Sequence, residues 1–139
     1  MTLSGRSTAV YALDDKTWTK IADIKYARGG HSCAVLGNNL FLIGGFGDQG
    51  KSVEIYNLVE ETWDHEAASL TSDLYQGHTL VHDGRLYAVH MDGEVEKLTA
   101  DMSAWEVVGS VGKWGVTRYR DTYGPFYPAA VVTRQMLNC

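Results

Sequence analysis

Phe41-Leu42-Ile43-Gly44-Gly45, then Tyr56, then Trp63 after six intervening residues: this run decides the fold. Its last part recurs. Val10-Tyr11 precedes Trp18, Ile55-Tyr56 precedes Trp63, and Lys97-Leu98 precedes Trp105, each time with the Trp seven residues after the second member of the pair. The tryptophans stand 45 and 42 residues apart. A second marker keeps nearly the same period: the segment opening Gly30-His31-Ser32 matches the one opening Gly77-His78-Thr79, which makes His31 and His78 equivalent. A third matches Asn39-Leu40-Phe41-Leu42-Ile43 to Arg85-Leu86-Tyr87-Ala88-Val89. Period slippage of a few residues is what loop-length variation between equivalent units produces.

Each unit reads as short strands. Segments around 31–36, 39–44, 52–57 and 62–66 are rich in Val, Ile, Leu, Tyr and Phe, and turn-type residues separate them. Asp83-Gly84 between apolar flanks predicts a tight hairpin. No stretch shows sustained helical spacing, and the first proline is Pro125. Four short strands in about 45 residues is the arithmetic of a propeller blade.

The apolar run, Gly-Gly, Tyr and Trp resemble the kelch repeat, over roughly residues 7–133. Gly77-His78 and Trp63-Asp64 also suggest the WD-type repeat, but their order is wrong for it. The expected fold is therefore all-β, a partial and open kelch-type propeller of four-stranded antiparallel blades. The expected boundaries are 7–21 for the end of a first blade, 30–66 and 77–109 for two full blades, and 128–134 for the first strand of a further one. The copies are unequal: His90-Met91 replaces Gly44-Gly45, and Leu98 replaces the Tyr. A ring needs four to eight blades, so an open arc leaves two apolar faces exposed. The chain is then expected either to belong to a longer polypeptide or to complete its blades by self-association.

Composition narrows the function. Of 139 residues, 45% are hydrophobic and 21% charged, which supports a packed core. The net charge of −5 disfavours nucleic acid as a partner. The start of the chain lacks the apolar segment of a signal peptide, and no apolar stretch is long enough to cross a membrane. Two cysteines are too few for a disulfide scaffold, Cys33 reads as a small buried residue, and the expected location is cytoplasmic.

The repeat residues read as architecture. Trp18, Trp63 and Trp105 recur where blades must pack, each offering one indole N–H to a neighbouring carbonyl. Gly44-Gly45 lacks the spacing and following helix of a phosphate loop. His78 and His82, on one strand, are too far apart to share an ion. No G-x-S-x-G nucleophile elbow and no iron- or copper-binding run is present, so no catalytic residue, metal or cofactor is expected.

Function is expected in the loops, which in this family line one end of the ring: 23–28, 46–51, 68–76, 91–93 and 110–126. The candidate partner-binding residues are Arg28, Phe46, Tyr75, Trp114, Arg118, Tyr119 and Arg120, because exposed aromatics and arginines dominate protein contacts. The three arginines suit an acidic peptide segment. The resemblance implies a non-catalytic protein-protein interaction module, the substrate-recognition part of a ubiquitin-ligase adaptor whose BTB domain stands elsewhere in the chain. Its alternatives are an actin or cytoskeletal scaffold and, less favoured, a fragment of a kelch-like metal-dependent enzyme.

Overall fold

The computed structural model describes residues 6–12, 14–64, 67–111, 131–132 and 135–137, with Tyr11 and the last two segments as backbone alone. Among the described residues, all the regular structure is β apart from one 3₁₀ turn at Gly47–Gln49. Their twelve strands form three antiparallel four-stranded sheets that do not close into a ring. Among the described residues, no helix is long and apolar enough to cross a membrane.

The second sheet in space is the simplest. Strands β3 (Ser32–Leu36), β4 (Asn39–Ile43), β5 (Val53–Asn57) and β6 (Thr62–Asp64) follow one another in chain order. The third repeats this with β7 (His78–His82), β8 (Arg85–Val89), β9 (Glu94–Leu98) and β10 (Trp105–Ser110). The expected hairpin is there, with positive φ at both Asp83 and Gly84, as a two-residue turn matched to strand twist requires.

The first sheet departs from expectation. It joins β1 (Thr8–Ala12) and β2 (Thr17–Ile21) to β11 (Val131–Val132) and β12 (Gln135–Leu137), with Val10 opposite Leu137. The strand expected to open a further blade thus lies in the same sheet as the chain's first strands. The pairing occupies the β1 edge, whose N–H and C=O groups would otherwise lack ladder partners.

Strand register explains the seven-residue gap. Tyr11 is paired with Trp18, Tyr56 with Trp63 and Leu98 with Trp105. The two repeat markers are cross-strand partners, so hairpin length fixes their spacing. Register also corrects the histidine alignment. Ser32 is paired with Ile43, and His78 with Val89. His78 therefore corresponds to Ser32, and His31 lies one residue outside the strand.

Two apolar cores lie between sheets. Ala34, Phe41, Ile43 and Val53 of the second blade meet Leu86, Ala88, Leu98 and Trp105 of the third, with Leu70 and Leu74 from the connector. Cys33, Leu40, Leu42 and Tyr56, on the opposite face of the second blade, meet Val10 and Ile24. Cys33 is buried as expected and is not a free thiol. Each fully buried aliphatic or aromatic side chain contributes about 1.5–3 kcal/mol. The indoles clamp the connectors. Trp63 Nε1 donates to Ala22 O at 2.8 Å, and Trp105 Nε1 to Ala68 O at 3.0 Å.

Strands β3 and β7 of the two blades meet through hydroxyls. Thr79 Oγ1 donates to Cys33 O at 2.8 Å, so Ser32 Oγ must donate to Thr79 Oγ1, also at 2.8 Å. In the third blade Leu80 and Val81 on β7 and Val107 and Val108 on β10 are all exposed.

Candidate functional site: the loop end

Two aromatic side chains stand out at the end of the sheets where β4 leads to β5. Phe46 is 71% exposed, and its ring meets Tyr75 edge-on with centroids 5.4 Å apart. Their backbones are tied to the neighbouring loop. Phe46 N–H donates to Gly29 O, Gln76 N–H to Gly30 O, and Gly45 N–H to Leu74 O, all at 2.8–2.9 Å. Gly30, at φ +63°, lies under the tyrosine; a Cβ there would come within 2.6 Å of Tyr75 Cε2. The aromatic pair is therefore an exposed apolar feature on a hydrogen-bonded frame.

Arg28 is not part of this surface. It is 1% exposed. Its Nε and Nη2 donate to Glu54 Oε1 at 3.1 and 2.9 Å, and its Nη1 donates to the carbonyls of Gly44 and Ser52. Glu54 Oε2 takes a further bond from Lys25 N–H. A guanidinium is chemically apt for docking, but this one is committed to a buried carboxylate, and a partner cannot reach it without exposing that charge. Trp114, Arg118, Tyr119 and Arg120 lie outside the described residues.

His31 sits beside this pair. Burial, and secondarily the charge of Arg28, lower its pKa from 6.5 to about 4, with Glu54 opposing. Its Nδ1 is buried without a hydrogen-bond partner. His78, once matched to it, is exposed instead.

A second polar group, overlooked in the sequence, occupies the same end of the third blade. His90 Nε2 lies 2.8 Å from Glu96 Oε1, and Nδ1 lies 3.2 Å from Asp73 O. Glu96 also accepts from Thr71 N–H at 2.9 Å and, more weakly, from Ser72 N–H at 3.4 Å. Ser72 Oγ donates to Glu94 at 3.1 Å. One donor atom each from His90, Glu94 and Glu96 falls within 4.8 Å of the other two. In sequence His90 stands where the second blade has Gly44, and the cluster shows only once β9 folds back on β8 to bring Glu94 and Glu96 beside it.

Residues 27–67 match a family model described as the Kelch motif. The chain is 38% identical to beta-scruin of Limulus polyphemus over 64 residues, which is 44% of this chain and 7% of that protein. It is 37% identical to alpha-scruin of the same organism over 68 residues, 49% of this chain and again 7% of the relative. Among solved structures, "Structure of YjhT" superposes with a TM-score of 0.62 at 17% identity, covering 76% of this chain and 46% of that one. The chain thus spans a small fraction of these curated relatives and under half of this structural neighbour.

Proposed function

We propose, from the premise that this chain is built of kelch repeats, that it is a non-catalytic protein-binding module acting in the cytoplasm. Its contact surface is the loop end that carries Phe46 and Tyr75. The observation that supports this most is the exposure of Phe46 on a hydrogen-bonded frame. A large aromatic held in place loses little entropy on docking and displaces much water. With Arg28 buried, an acidic partner would have to be met by Arg118 and Arg120, with Trp114 and Tyr119 as their aromatic neighbours.

The resemblance supports two finer readings, a cytoskeletal scaffold and the substrate-recognition part of a ubiquitin-ligase adaptor. The adaptor reading requires a BTB region on the same polypeptide. The exposed apolar residues Leu80, Val81, Val107 and Val108 of the third blade are proposed to meet either further blades or a second copy.

Co-sedimentation of the purified chain with actin filaments tests the scaffold reading directly. The wild-type chain is expected in the pellet. A variant carrying Phe46→Ser and Tyr75→Ser is expected in the supernatant with an unchanged unfolding midpoint. A wild-type chain that stays in solution sinks the scaffold reading, and a double variant that still pellets sinks the aromatic surface.

A further inference from the structure

The second and third blades bury glutamates at matching positions. Glu54 and Glu96 are paired with Leu42 and Ala88 on the preceding strands. Each accepts a connector N–H at 2.9 Å, from Lys25 and from Thr71. Three residues beyond that N–H the second blade has Arg28, and the third has Leu74, which is buried in the apolar core. Glu96 is 0% exposed and lacks the fixed positive charge that Glu54 receives. The third blade instead brings a second carboxylate, Glu94, and an imidazole to the spot.

We propose that His90, Glu94 and Glu96 bind a divalent cation of zinc type, which supplies in the third blade the charge that Arg28 supplies in the second. Both nitrogens of His90 face oxygen acceptors, the Glu96 carboxylate and the Asp73 carbonyl. A neutral imidazole has one N–H for these two acceptors. A second ring proton or a cation at Nε2 each serves both acceptors, and only the cation also engages Glu94. In either case Nδ1–H then donates to the Asp73 carbonyl. That is the support a metal-bound imidazole usually has, and it fixes the ring's tautomer and orientation. Zinc takes His nitrogen and carboxylate oxygen at about 2.0–2.2 Å. Two ligands of a tetrahedral ion at those lengths stand about 3.3–3.5 Å apart, so the 2.8 Å contact between Nε2 and Glu96 Oε1 opens by about half an ångström on binding. Glu94, half-buried, closes in from the solvent side, and two carboxylates with a neutral imidazole balance a charge of +2. The imidazole selects zinc over calcium, which prefers oxygen-only sites.

The test is a zinc titration of the chelator-treated full chain against a chromophoric competitor. One equivalent is expected to bind, with millimolar calcium unable to displace it and with a rise in the denaturation midpoint. Glu94→Gln keeps a side-chain oxygen for Ser72 and is expected to weaken zinc at least tenfold and to abolish the midpoint shift. His82→Gln, at the exposed His82–Asp83 pair, is expected to change neither. The proposal is overturned if the wild-type chain takes up no zinc, if Glu94→Gln binds it as tightly, or if His82→Gln is the variant that loses it. Binding of a protein partner at Phe46 is measured separately, so either reading can fail without the other.

Discussion

The second and third blades place one glutamate in the same hole and surround it differently. Glu54 meets the guanidinium of Arg28, two N–H groups on a single carboxylate oxygen, with the remaining Arg28 donor on the Gly44 and Ser52 carbonyls. Glu96 meets the imidazole of His90, with Leu74 where the arginine would be. The first arrangement is closed and permanently charged, because arginine stays protonated at any working pH. The second is built from groups that exchange protons and can bind metal. What is common to both is the backbone demand: the connector entering each blade presents an N–H that a buried carboxylate must accept. What differs is how the carboxylate's charge is met, and the sequence is free to vary there.

The most damaging way to break this comparison is to make the second blade resemble the third without its histidine. Arg28→Leu leaves Glu54 buried and uncompensated, which is expected to cost about 3–5 kcal/mol in denaturant unfolding. Adding Glu54→Gln is expected to recover part of that loss; no recovery would mean that the arginine acts through its carbonyl contacts instead. The indoles supply a second contrast. Trp105 is 5% exposed and Trp18 55%, so Trp105→Ala is expected to cost about 3–5 kcal/mol and Trp18→Ala clearly less. Equal losses would show that the first sheet is as tightly packed as the others.

A pH titration sharpens the picture further. His31 has a native pKa lowered to about 4 against 6.5 when unfolded. Between these values the unfolded chain binds a proton that the native state refuses, so stability is full above about pH 6.5 and falls as pH drops toward 4. His31→Gln is expected to flatten that part of the profile. An unchanged profile would mean that burial does not hold His31 neutral in the native state. The smallest stability effect is expected at the surface. Phe46→Ser is expected to change stability by under about 0.5 kcal/mol, while reducing partner binding.

The fold was legible because its markers are consequences of pairing. Tyr56 and Trp63 are spaced by the hairpin that sets them opposite each other, with rings 5.0 Å apart, and any chain that keeps the hairpin keeps the count. The site was legible only in part. Phe46 was recognisable because an aromatic among Gly, Asp and Gln has no core to enter. Arg28 was misplaced because its partner is 26 residues away, and nothing local distinguishes a buried arginine from an exposed one. His31 and His78 were aligned by identity at an offset of 47, whereas the two hairpins, each of two five-residue strands about a two-residue turn, superpose at an offset of 46. His90 looked like a lost glycine because its meaning depends on Glu94 and Glu96 across a turn, where only three-dimensional proximity shows the cluster.

The indole bonds have a consequence for the order in which the protein can be built. Trp63 fastens Ala22, 41 residues earlier, and Trp105 fastens Ala68, 37 residues earlier. In each case the last strand of a blade holds the connector that leads into that blade. A growing chain cannot secure a connector until nearly a whole further repeat has been synthesised. At about 5–20 residues per second, each connector waits several seconds on the ribosome before its latch arrives. Folding during synthesis is therefore expected to advance in steps one repeat long, with every finished blade locking the connector that preceded it.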